Sequence, residues 1–179
     1  MIRFAALAAV TLVAQQTATQ RAAKDVKLGP YYPTPEKVVV EMLRVGELKA
    51  GEKMFDLGSG DGRVVVAAAK LFQAVAAGVE LDEGLVRKSS EWLRREKLRN
   101  ARIIHGDALL QDYSSADLVT VYLLPEANEK LTPILEKQLR AGARVVSHDF
   151  EFRRWKPAKI VTLEDGPEGW PHTIYLYRR

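Results

Sequence analysis

Hydrophobic positions along this chain change rhythm repeatedly, from short continuous apolar runs to longer stretches with one apolar face. Buried strands and amphipathic helices produce those two rhythms. Apolar runs predict strands at Met54–Leu57, Ala74–Leu81, Arg102–His105, Leu118–Leu124 and Arg144–His148. Between them, Val64–Phe72, Gly84–Leu98 and Pro125–Leu139 read as helices, the last interrupted by Pro133, where a kink is expected. An earlier helix is expected to start at Pro35, a favoured first residue, with Thr34 as its cap and Lys37–Arg44 continuing it. Val38, Val39, Met42 and Leu43 then share one face. Ile160–Leu163 and Thr173–Tyr177 have no helical pattern between them, so they are expected to pair antiparallel at a sheet edge.

Strand then helix, repeated, predicts an α/β fold: a Rossmann-like, doubly wound, mostly parallel seven-stranded sheet with an antiparallel edge pair. Ligands bind such sheets at the carboxyl ends of the strands, near the switch point. The first strand should be central, which makes its exit loop the place to look.

The first twenty residues have a different pattern. Arg3 precedes an apolar run from Phe4 to Ala14, and Gln, Thr and Ala follow. That is the layout of a secretory signal, so residues 1–20 are expected to export the chain or tether it to a membrane. An uncleaved N-terminus on a cytoplasmic protein is the alternative. Residues 21–50 are expected to form a proline-rich segment and the first helix, and residues 51–179 the main domain.

Composition narrows the chemistry. With 47% hydrophobic and 28% charged residues in 179, the chain has enough apolar surface for one core. No cysteine is present, which excludes disulfides, thiolate zinc sites and cysteine nucleophiles. The three histidines, His105, His148 and His172, are far apart in sequence, so no metal is expected. The net charge of +4 is scattered rather than clustered, so nothing demands nucleic acid.

The exit loop of the first strand reads Asp56-Leu57-Gly58-Ser59-Gly60-Asp61-Gly62-Arg63. Glycines at alternate positions let the backbone turn tightly and let a ligand approach it, so a side chain at Gly58 should occupy ligand space. A dinucleotide loop spaces its glycines G-x-G-x-x-G; here the third comes one residue early. Asp56, two before the first glycine, repels a pyrophosphate and suits a cation. S-adenosyl-L-methionine (SAM) carries an amine and a sulfonium. Glu80, ending the second strand, can accept from ribose hydroxyls, as in NAD enzymes, and Asp107, ending the third, from the adenine amine. Ser59 completes the loop. Three acids at three consecutive strand ends point to a SAM site.

The sequence resembles the class I, seven-strand SAM-dependent methyltransferases. More narrowly, it is similar to the lysine methyltransferases of the ATP synthase c-subunit and their bacterial relatives. The resemblance is carried by PYYPTPEKVVVEML (Pro30 to Leu43), DLGSGDGRVVVAAAK (Asp56 to Lys70), GVELDEGLV (Gly78 to Val86), and the stretch from Val121 to Pro157. It implies a SAM-dependent methyltransferase with a protein lysine as acceptor. The LLPEAN segment keeps the family's proline but not all its neighbours.

Methyl transfer needs alignment, exclusion of water and an uncharged nucleophile, and positioning alone is worth roughly 7–11 kcal/mol. A lysine acceptor must first lose a proton, and aromatic rings attract both the ammonium and its methylated product. Tyr31, Tyr32, Tyr122 and Trp155 are the aromatic candidates. Tyr122, Pro125 and Glu126 are the acceptor-pocket candidates, with Asn128 as a further orienting group. His148 and Asp149 end the fifth strand, where neighbours should face opposite ways, so only one of them is expected at the site. Tyr31 and Thr34, stiffened by prolines, are expected to lid the SAM methionine end. The alternatives are a small-molecule or RNA methyltransferase on the same site, a NAD-binding protein, or a non-catalytic SAM-binding module.

Overall fold

The structure is a computed structural model that describes residues 28–164 and 169–179. The signal-like run from Arg3 to Ala14 lies outside the described residues. The elements in order are α1 (Glu36–Val45), β1 (Lys53–Leu57), α2 (Arg63–Leu71), β2 (Val75–Glu80), α3 (Glu83–Arg95), β3 (Ala101–His105), a short 3-10 turn (Ala108–Leu110), β4 (Leu118–Val121), α4 (Pro125–Gln138), β5 (Arg144–His148), β6 (Lys159–Leu163) and β7 (His172–Arg178).

The seven strands form one sheet in the order β3-β2-β1-β4-β5-β7-β6. β1 to β5 run parallel, and β7 is antiparallel to both β5 and β6. The order reverses between β1 and β4, where a doubly wound sheet leaves a crevice at its carboxyl edge. Strand alternation sends apolar side chains to both faces. Met54, Leu118, Val146 and Ile174 pack with α1, α2 and α3 on one side; Phe55, Leu57, Val119 and Val121 pack with Tyr113 and α4 on the other. α1 therefore shares the core of the strands that follow it.

Two details differ from the sequence reading. α1 starts at Glu36 with Pro35 as its N-cap and no side-chain cap, because Thr34 is turned inward instead. β4 ends at Val121, three residues short of the expected Leu124; Pro125 opens α4, and Tyr122, Leu123 and Leu124 connect the two without regular structure. α4 runs on through Pro133 to Gln138.

Candidate functional site

β1 delivers its last residues into a glycine loop whose backbone is positive in φ at Gly58 (71°), Gly60 (55°) and Gly62 (84°). L-residues with a Cβ disfavour that region, so the alternate glycines are what permits the turn into α2. The loop is tied to β2: the Gly58 and Ser59 N–H groups both donate to the Val79 carbonyl at 2.9 Å, and the Gly60 N–H donates to Glu80 Oε2 at 2.7 Å. Glu80 Oε1 accepts from the N–H groups of Leu81 and Asp82 at 2.9 and 2.8 Å. Glu80 thus shapes the loop as well as facing the crevice. Glu80→Ala should weaken ligand binding by about 1–3 kcal/mol and loosen the loop, as read by calorimetry and amide exchange at Gly60; unchanged affinity would remove Glu80 from the site.

Asp56 lies buried beside this loop. Its cross-strand partner Thr120 donates to Asp56 Oδ1 at 2.7 Å. Burial pushes the Asp56 carboxyl up to about 7; the Thr120 hydroxyl opposes this, and the charges of Glu80 and Asp61 add to it. Such a group gains most from a cation. Asp61 goes the other way: burial raises it, but the hydrogen bonds and charge of Arg63 outweigh burial and hold it below the usual range. Arg63 Nη2 meets Asp61 Oδ2 at 2.8 Å, and Arg63 Nη1 donates to the Thr34 carbonyl at 2.8 Å. One guanidinium therefore fastens the proline-rich segment to the glycine loop.

These parts enclose a pocket lined by residues 28–34, the glycine loop, Asp56, Glu80, Asp82, Asp107, Tyr122 and Leu123. Its donor set suits SAM. Five carboxylates, those of Asp56, Asp61, Glu80, Asp82 and Asp107, line one crevice, and the buried Ser59 hydroxyl has no partner among the described residues. Asp107 caps the 3-10 turn, accepting from the Leu109 N–H at 2.8 Å through Oδ1. It stands two residues beyond the end of β3 rather than on the strand.

The Tyr31 ring lies against Gly60, where an added Cβ would come within 2.8 Å of it. Gly58 differs from its expected role: a Cβ there would meet the Leu123 side chain at 2.7 Å, not open ligand space, so its glycine is required by backbone and packing.

Similarity to known proteins decides the family. Residues 56–159 match the family described as the ANTKMT methyltransferase domain. The chain is 43% identical over 150 residues to a protein-lysine N-methyltransferase of Saccharolobus islandicus strain REY15A, covering 83% of this chain and 92% of that protein.

The chain belongs to the ANTKMT methyltransferase domain family.

This methyltransferase is also 34% identical over 151 residues to the human lysine N-methyltransferase of the ATP synthase c-subunit, covering 83% of this chain and 63% of the human protein. It thus spans somewhat less than two thirds of that longer relative. Among solved structures, it is similar to an RNA methyltransferase from Salinibacter ruber in complex with S-adenosyl-L-homocysteine, with 40% identity and a TM-score of 0.77 over 82% of this chain and 93% of that one.

Not every expected residue of the methyltransferase reaches the pocket. Tyr122 does, one residue past β4. Pro125 opens α4 and Glu126 is exposed on its first turn, and neither lines the pocket. Asn128 is buried beneath them, donating to the Phe150 carbonyl at 3.1 Å. Trp155 is not an acceptor-site ring: it packs on Phe152 and Tyr177 and donates to Glu136 at 2.9 Å. His148 and Asp149 do not diverge as alternation predicts, because Asp149 has φ 56°, which turns its carboxylate back beside the His148 ring.

Three residues outside the expected set also shape the site. Arg63 works through a carbonyl 29 residues away, for which no local signal exists. Leu123 walls Gly58. Asp82 caps α3 by accepting from the Leu85 N–H at 3.1 Å, and here an acidic residue just before the helix is a legible cue.

Proposed function

We propose that this methyltransferase transfers the methyl group of SAM to the ε-amine of lysine in a protein substrate. The observation that carries the reading is the crevice where Asp56, Glu80 and Asp107 surround the glycine loop, with Tyr122 on the adjoining wall. The relatives named for lysine methylation support the choice of acceptor. SAM is the cofactor; when bound, its sulfonium would supply the methyl group to the uncharged lysine amine and depart as the neutral thioether of S-adenosyl-L-homocysteine. The chain's own groups hold and orient SAM: Asp56 meets positive charge, Glu80 at the end of β2 and Asp107 just beyond β3 offer acceptors, and the Ser59 hydroxyl has hydrogen-bonding capacity to spare. Incubating a proteome with labelled SAM and this enzyme, then mapping label by mass spectrometry, should place methyl groups on lysine. Label confined to RNA would overturn the reading in favour of the activity named for the Salinibacter ruber structure. The scattered basic residues favour protein over RNA.

The proline-rich segment serves at two ends. Thr34 is buried and held by Arg63, as a strap would be. Tyr31 is 47% exposed and rests on the glycine loop, as a lid would. Tyr31→Ala should therefore lower SAM affinity about tenfold while moving the melting temperature little, since a half-exposed ring contributes little to the core. A large fall in melting temperature with intact affinity would make Tyr31 part of the strap. Residues 1–20 are proposed to export or tether the enzyme; sequencing the mature N-terminus from fractionated cells tests this, and an intact Met1 on a cytoplasmic protein refutes it. Among the described residues, no helix is long and apolar enough to cross a membrane.

A further inference from the structure

Outside the SAM crevice, three side chains of types that can ligate a metal, two at the end of β5 and one at the start of β7, converge at the rim where the two strands meet. His148 is the last residue of β5, Asp149 follows it, and His172 opens β7. His148 Nε2 lies 3.0 Å from His172 Nδ1, His172 Nδ1 lies 3.1 Å from Asp149 Oδ2, and His148 Nε2 lies 3.2 Å from the same oxygen. Both imidazoles are buried, while Asp149 is partly open to solvent. The other Asp149 oxygen, Oδ1, accepts the Thr173 N–H at 2.8 Å, and the Asp149 N–H donates to the Thr173 carbonyl at 2.7 Å. The backbone thus fixes the carboxylate with Oδ2 aimed at the two rings.

Hydrogen bonding alone does not satisfy this triangle. A neutral imidazole nitrogen either donates or accepts, and an ionised carboxylate only accepts. If both nitrogens donate to Asp149, two N–H groups face each other at 3.0 Å. If His172 donates and His148 accepts, the His148 lone pair faces the carboxylate at 3.2 Å. Every neutral-histidine assignment leaves one like-with-like contact in a buried place, where such contacts are costly.

A cation shared by all three atoms removes the conflict. With metal–ligand bonds of about 2.0–2.2 Å, ligand atoms lie about 3.0 Å apart at right angles and about 3.4 Å apart in a tetrahedron. The three observed separations fall in that interval. Two imidazoles and one carboxylate, without thiolate, suit borderline metals such as zinc rather than calcium or magnesium. The remaining nitrogen of His148, Nδ1, faces the Thr34 hydroxyl at 3.4 Å, a distant partner of the kind that orients a ligating ring.

We propose that His148, Asp149 and His172 form a zinc-binding site, completed by solvent on the open side of Asp149. The site joins the end of β5 to the start of β7 and fixes the His148 ring. That ring stands 4.0 Å from the ring of Tyr122, so the metal braces the pocket wall from behind. The role is structural positioning, independent of which acceptor the enzyme methylates.

Full-length protein stripped with EDTA and titrated with zinc sulfate should take up one zinc per chain, and zinc should raise its melting temperature. Cobalt chloride should produce the visible absorption of a low-symmetry cobalt site, stronger than that of the aqueous ion. His148→Gln, Asp149→Asn and His172→Gln should each weaken uptake by at least about tenfold. His105→Gln, at an exposed position on the end of β3, should leave it unchanged. Should a histidine variant fail to fold, Asp149→Asn and the wild-type titration still decide. No saturable zinc or cobalt uptake by the wild type overturns the site, as does uptake undiminished in Asp149→Asn.

Discussion

Replacing Asp56 by asparagine is expected to weaken SAM binding at least about a hundredfold above neutral pH while making the ligand-free enzyme more stable. The two effects share one cause. Burial raises the Asp56 carboxyl from an ordinary value of 3.8 to about 7, so the folded chain prefers it protonated. A raised folded value gives stability that is complete below about pH 4 and lost as pH rises through about 7. A rise of that size corresponds to at most about 4 kcal/mol of destabilisation once the group ionises. Asparagine never ionises, so the gain should show in melts near about pH 8 and vanish near about pH 4. The cationic ligand selects the carboxylate, so wild-type affinity should rise with pH up to about 7 and then level, while the variant's stays flat. Calorimetry across that range, with melting curves beside it, gives both readouts. A variant that binds SAM as tightly as wild type at about pH 8 would detach Asp56 from the ligand.

A single methyl group at Gly78 is expected to unfold much of what the site requires. A Cβ at that position, midway along β2, would sit 2.5 Å from Ser59 Oγ, 2.7 Å from Ser59 Cβ and 2.9 Å from Val65. Its neighbours are the buried floor of the glycine loop and the first turn of α2, so something must shift to admit it. Overpacking of this kind should cost Gly78→Ala about 3 kcal/mol and push Ser59 out of place, so that SAM affinity falls even where the protein remains folded. Gly142→Ala is the contrast. Its φ is 85°, but nothing lies within 4 Å of the added atom, so it should cost only about 1–2 kcal/mol and leave SAM affinity alone. Denaturant unfolding and SAM titration on both variants separate the effects; equal losses from the two would mean that strand packing under the loop is unimportant.

The order of strands and helices was legible in the sequence because each element buries a face, and a face leaves a period in the chain. Val38, Val39, Met42 and Leu43 are all buried as their spacing requires. β5 spans Arg144–His148 as the apolar run indicates. The DLGSGDGR loop was legible for a related reason: left-handed backbone at three alternate positions all but demands glycine, and that demand is local. What the tertiary structure decided concerns partners that local chemistry does not encode. Thr34 reads as a helix cap from its neighbours, yet its hydroxyl turns toward His148, 114 residues away, and its carbonyl takes a bond from Arg63. Trp155 reads as a candidate cage ring, yet stacks on Phe152 at the border of the core that contains Tyr113 and α4. His148, Asp149 and His172 read as isolated residues, because alternation predicts opposite directions and says nothing about a strand that returns antiparallel. The positive φ of Asp149 and the register of β7 bring them within 3.2 Å of one another. Periodicity and backbone demand are properties of adjacent residues, so the sequence carries them openly. Convergence depends on how distant strands align, and that alignment exists only once the sheet has closed on its core.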